Sequence, residues 1–146
     1  MKKIFIGLLL LLLANFAFAQ KDPIEKVWYN ASKTAKIQVY KAVNGKFYGK
    51  IIWLQKPNDA NDKPRTDIEN PNKNLRNIPL LHLIILKDFR SPKNDSNIYE
   101  DGTVYDPNTG KTYCGKLILA AKTLSLKGYI CGLSWFSRTS VWTIAE

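Results

Sequence analysis

Two cysteines, one histidine and a few neighbouring carboxylates are the residues of this 146-residue chain whose types could carry chemistry. Cys114 and Cys131 are its only cysteines, an even number that suits a disulfide in an oxidising compartment. If Leu119 pairs with Leu124 across a hairpin, Cys114 stands opposite Tyr129 and diagonal to Cys131 on one face, somewhat far for an unstrained bond. A register slipped by two residues would set the cysteines directly opposite. A disulfide and two separate thiols are the alternatives, and nothing places a base beside either sulfur to make it a nucleophile. His82 sits inside the apolar run Leu80-Leu81-His82-Leu83-Ile84. One imidazole and two hairpin thiols make a poor zinc set, so no metal ligands are assigned. The ring is read instead as that of a strand residue, reaching a backbone carbonyl or the rim of the fold.

Other patterns fall short in definable ways. A Ser-His-Asp triad would want a Gly-x-Ser-x-Gly elbow, which is absent. Gly110-Lys111-Thr112 resembles the end of a phosphate loop, but Tyr105 stands where the first glycine is required. The Asp106–Gly110 turn lacks the spacing and terminal Glu of a calcium-binding EF-hand. Asn58, Asp59, Asn61 and Asp62 could hold calcium loosely or simply be a solvated loop. Asp67 with Glu69, and Glu100 with Asp101, are the closest carboxylate pairs of the kind glycoside hydrolysis uses, yet no spacing sets either pair across a cleft. With no nucleophile–base pair and no cofactor motif, the chain is expected not to be an enzyme.

The elements that must hold these residues are strands. Val27-Trp28-Tyr29 belongs to the first, followed by a turn around Ser32–Thr34. Lys36–Val43 and Lys46–Leu54 flank Asn44-Gly45, a pair suited to a two-residue hairpin turn. That turn sets Val43 opposite Lys46 and Ala42 opposite Phe47, and it leaves apolar residues on both faces near one end, as a strand pair covered on both sides or a bulge would. From Gln55 to Pro79, Asn, Asp, Lys and Pro replace the pattern for about 25 residues, a length typical of a mobile or functional loop. Leu80–Leu86 reads as a buried strand or short helical turn, and Ser91–Ser96 as turn-rich. Gly102–Tyr105 is a short strand closed by Asp106-Pro107-Asn108-Thr109-Gly110. Lys111–Leu119 and Thr123–Cys131 form a second hairpin around Ala120–Lys122, and Arg138–Ile144 is the last strand. About eight short strands predict an all-β antiparallel domain, closed into a small up-and-down β-barrel, with a two-sheet sandwich as the alternative.

Residues 1–19 read as a signal peptide: Lys2 and Lys3, then the apolar stretch Ile4–Leu13, then Ala17-Phe18-Ala19 as a small-x-small cleavage site. The apolar stretch is shorter than the roughly 20 residues a membrane span needs, and no transmembrane span is expected after cleavage. Residues 20–146 then make one domain, exported to the periplasm or beyond. Without Lys2 and Lys3 the net charge of +10 falls to +8. Such a charge suits an anionic envelope component; scattered lysines also serve plain solubility, and nucleic acid is not an expected partner.

Trp28, Lys46–Leu54, Asp67–Asn72 with Leu75-Arg76 and Pro79-Leu80, Gly102–Tyr113, and the ending Arg138-Thr139 with Trp142-Thr143 resemble the bacterial exported family designated domain of unknown function 2147. The likeness spans nearly the whole chain after the leader, and its most specific piece is Asp-Pro-Asn-x-Gly-Lys-x-Tyr at 106–113. It implies an exported β-barrel and carries no established activity. Tyr99-Glu100 and Cys131 depart from the expected pattern. A weaker likeness joins the chain to lipocalin and avidin-like barrels, in which a first-strand tryptophan packs near a last-strand arginine. By that likeness Trp28 and Arg138 would stack and seal one end of the barrel. Two functional expectations follow. In one, the mouth, lined by Tyr48, Trp53 and Tyr105 and framed by the Gln55–Pro79 loop, holds a small apolar or amphipathic molecule. In the other, the barrel is filled by Phe47, Leu117, Leu119, Leu124 and Leu126, and the outside serves a non-enzymatic interaction or structural role in the envelope.

Overall fold

The structure is a computed structural model describing residues 20–92 and 97–145. The expected leader, residues 1–19, lies outside the described residues, as does part of the Ser91–Ser96 turn. Eight antiparallel strands follow one another around a closed barrel: β1 (Val27–Tyr29), β2 (Ala35–Lys41), β3 (Phe47–Leu54), β4 (Ile84–Phe89), β5 (Ile98–Asp106), β6 (Lys111–Leu119), β7 (Thr123–Ile130) and β8 (Leu133–Ile144). Each strand pairs with its chain neighbours, and β1 closes the ring on β8. The up-and-down barrel is therefore the fold, and the sandwich is not.

Alternation drives the strands. In β2 the residues Ala35, Ile37 and Val39 are buried and the ones between them are not, and Leu124 and Leu126 do the same in β7. A period of two on a strand sends one set of side chains inward, where apolar area leaves water. The inward set fills one end of the barrel. Trp28, Phe89, Leu117 and Leu124 are fully buried there, with Tyr99 and Phe47 in edge-to-face contact at 4.9 Å between ring centroids. The residues before β1 stopper this end. Ile24 is fully buried, its carbonyl accepts from the Trp28 indole N–H at 3.1 Å, and the Tyr99 hydroxyl donates to Asp22.

Three local expectations are corrected. The first hairpin turns through three residues, not two: the Ala42 N–H bonds the Lys46 carbonyl at 2.8 Å and Lys41 pairs with Phe47, with Gly45 at φ +78°. A three-residue loop with glycine in the left-handed position shifts the register by one, which exchanges the two faces. Ile37, Val39, Phe47, Gly49 and Ile51 thereby share the interior, and a bulge between Lys36 and Ile37 accounts for the mixed pattern near Trp53. The Leu80–Leu86 run is not one strand. β4 begins at Ile84, because Leu80–Leu83 forms a turn closed by a Leu83 N–H to Leu80 carbonyl bond of 3.1 Å, with His82 at φ +71°. Finally, β8 starts five residues earlier than expected, at Leu133 rather than Arg138.

The long connection from Gln55 to Leu83 is folded. It carries isolated bridges between Asn58 and Pro64 and between Thr66 and Pro79, and a 3-10 turn at Lys73–Leu75 capped by the Asn72 side chain.

Candidate functional site

The barrel is filled at one end and hollow at the other. A cavity of about 660 Å³ opens where the β1–β2, β3–β4, β5–β6 and β7–β8 connections meet, opposite the Ile24 stopper. Its inner wall is apolar, built by Ile37, Ile51, Ile85, Leu126 and Trp142 from five different strands. Polar groups gather at the rim, where Lys56, Arg65 and Arg138 face the single acid Asp106. A cavity of this size, with an apolar interior and few rim charges, suits one small ligand.

The rim is held by a buried carboxylate. Asp67, in the long connection, is fully buried and accepts from the Tyr105 hydroxyl at 2.7 Å and from the Asn70 amide at 2.7 Å. Loss of water around the phenol, and then the bond to Asp67, push the Tyr105 pKa up to about 12. The same connection presses on the β5–β6 turn. A side chain at Gly110, whose φ is +68°, would meet the Glu69 carbonyl oxygen at 1.9 Å, so only glycine lets the two loops approach. A second hollow of about 620 Å³ lies between this connection and the outside of β4–β6, with His82, Lys87 and Tyr105 on its border.

The expected site residues separate. Tyr105 borders the cavity, where it serves as the anchor for Asp67. Tyr48 stands near the opposite end: it accepts from Asn44 at 2.9 Å, donates to Asp88 at 2.8 Å and stacks on Tyr40. Lys46 also reaches Asp88 at 2.9 Å, and these two hydrogen bonds, that from Lys46 the stronger, hold the exposed Asp88 carboxyl below the usual range. Trp53 lies past the β2–β3 bulge, more than a third exposed, edge-on to Tyr29 and beneath the Lys36 ammonium. Trp28 and Arg138 are not brought together. Trp28 pairs with Ile144 at the stoppered end, whereas Arg138, six residues back along β8, pairs with Gly128 at the rim. At the rise of a strand that is about 20 Å. Cys114 and Cys131 form a disulfide, with 5.1 Å between Cα atoms. The register is the diagonal one, Cys114 opposite Tyr129, and a shift after Tyr129 curls the chain so that the diagonal closes.

The carboxylate pairs do not face each other across a cleft: Asp67 is buried and Glu69 exposed, while Glu100 is tied to Lys116 at 3.3 Å. Asn58 and Asp62 bond one another at 2.8 Å, and Asp59 accepts the backbone N–H groups of Asn61 and Lys63. Sequence reasoning missed Tyr113, Trp142 and the rim cations Lys56 and Arg65. Alternation from the buried Leu117 and Gly115 back to Tyr113 was the available signal for the first of these.

Comparison with known proteins places this geometry. No curated protein matches the chain. Among solved structures, protein HP1028 from Helicobacter pylori, described as belonging to the lipocalin family, superposes with a TM-score of 0.70 at 20% identity, over 84% of this chain and 83% of that one. At that identity the likeness establishes the fold, a lipocalin-like barrel. Residues 27–144 match the family of uncharacterised proteins conserved in bacteria designated DUF2147, and the chain belongs to that family.

Proposed function

We propose that this protein is an exported binding barrel whose cavity takes one small apolar or amphipathic molecule, without catalysing its conversion. The observation that carries the reading is the half-filled interior, with close packing at the Ile24 end and about 660 Å³ of apolar-walled space at the other. A barrel serving only as a scaffold gains stability by filling that space, since each unfilled methylene volume forfeits burial and contact energy. Export rests on the leader-like residues 1–19 and is supported by the Cys114–Cys131 disulfide, which persists in oxidising compartments.

Native mass spectrometry of protein purified from its own host, before and after organic extraction, tests the reading. A reproducible extra mass that extraction removes is the expected result. A single bare mass in both samples, together with no stabilisation by long-chain alcohols or fatty acids in a thermal melt, would refute it.

A further inference from the structure

The β7–β8 hairpin projects beyond the mouth and carries the most exposed aromatic side chains of the described residues. Trp135 is 77% and Phe136 71% exposed, with Ile130 and Leu133 beside them. A break in the pairing puts them there. Tyr129 pairs with Ser137, but the next residue, Ile130, pairs with Leu133, so Ser134–Phe136 are extruded from the ladder. The extrusion is anchored, because Cys131 in the turn is tied to Cys114 on β6. Two large apolar side chains held in water on a pinned loop cost solvation energy that only a partner recovers.

Charge identifies the partner. Between Asp106 and Glu146 the chain has five cations and no carboxylate; Lys111, Lys127 and Arg138 lie toward the mouth, Lys116 midway along β6, and Lys122, in the β6–β7 turn, at the stoppered end. Lys116, which stands opposite Lys127 on β6 and β7, is ion-paired with Glu100 at 3.3 Å, so Lys127, with Lys111 and Arg138, carries the positive charge of the mouth half of this face. Among the described residues β8 pairs with β1 only at Thr143 and Ile144, and a second copy could extend the rest of that edge. A second copy brings the same cations to meet these, whereas an anionic bilayer satisfies both halves of the surface, with aromatic side chains at its interface and lysines over its headgroups.

We infer that the Ile130–Phe136 tip and the basic β6–β8 face dock this protein on an anionic lipid bilayer, with the cavity mouth turned toward the membrane. The docking does not depend on what the cavity holds. The test is co-sedimentation of the chain from Gln20 onward, which includes every strand of the barrel, with vesicles of phosphatidylcholine alone or of equal parts phosphatidylcholine and phosphatidylglycerol at low salt. The protein is expected to partition onto the mixed vesicles and not the neutral ones. The double substitution Trp135→Ser/Phe136→Ser is expected to weaken partitioning at least about tenfold. Lys127→Gln is expected to weaken it roughly fivefold. Both variants keep the wild-type thermal midpoint, since none of the three side chains is in the core. Absence of wild-type binding to the mixed vesicles, or undiminished binding by the double variant, overturns the inference. So does a dimer in light scattering that the double substitution dissociates while vesicle binding is absent, which would make a second copy the occupant.

Discussion

Asp67 and Tyr105 decide whether the long connection stays against the barrel. A carboxylate with no exposed surface is tolerated only when its oxygens are hydrogen-bonded, and the Tyr105 hydroxyl and the Asn70 amide perform that task. Tyr105→Phe leaves one oxygen without its donor and is expected to destabilise the fold by about 1–3 kcal/mol, measured by urea unfolding. Its pH signature has a definite sign. Because the folded state raises the phenol pKa to about 12, the bond stabilises fully below the ordinary value of 10 and its contribution is lost as pH climbs from there through 12. The thermal midpoint of the wild type should therefore fall over that window more steeply than that of Tyr105→Phe. Equal slopes would show that the phenol is not coupled to folding. Asp88 has the opposite sense: its lowered pKa means the Lys46 and Tyr48 contacts weaken as pH falls below the ordinary carboxylate range.

At the scale of strands, the filled end depends on places where a side chain is missing. Gly102 on β5 and Gly115 on β6 face each other in the ladder, and the Phe89 ring of β4 lies against both. A methyl at Gly102 would fall 2.4 Å from the ring, whereas one at Gly128, farther along the interior, has its nearest neighbour at 3.9 Å. Gly102→Ala is expected to cost about 1–3 kcal/mol by denaturant midpoint and Gly128→Ala much less, so equal losses would dismiss the slot. Such side-chain contacts across neighbouring strands are invisible in a linear pattern, which explains what was legible in this chain. Alternation and turn residues locate β1, β6 and β7 within a residue, and the register Leu119–Leu124 is the observed one, because short apolar strands joined by a tight turn carry their pairing locally. Asn44-Gly45 misled by one residue because the same dipeptide fits loops of two and three residues, and one residue exchanges inside for outside. Tyr48 and Trp53, both expected at the mouth, stand instead at the Asp88 end of β3 and past the β2–β3 bulge. Tyr105, expected at the mouth with Tyr48 and Trp53, borders the cavity. Its partner Asp67, 38 residues away in the chain, was legible only as a carboxylate.

The whole molecule is a barrel packed at one end and open at the other, and its two ends should respond oppositely to added volume. Leu124 and Leu126 sit two residues apart on β7, both buried, but only Leu126 borders the cavity. Enlarging a residue in a close-packed interior forces its neighbours off their rotamers, at about 1–3 kcal/mol, whereas enlarging one beside open space adds contacts at little strain. Leu124→Phe is therefore expected to lower the denaturation midpoint, and Leu126→Phe to leave it unchanged or raise it. The ligand response separates the two variants again. Molecules that bind only the folded state raise its stability in proportion to the logarithm of their concentration over Kd. With the cavity narrowed, Leu126→Phe should lose any stabilisation by a long-chain fatty acid that the proposed binding gives the wild type, while Leu124→Phe, though less stable, should keep it. Should Leu126→Phe be as damaging as Leu124→Phe, the barrel would be packed from end to end and its interior would have no room for a guest.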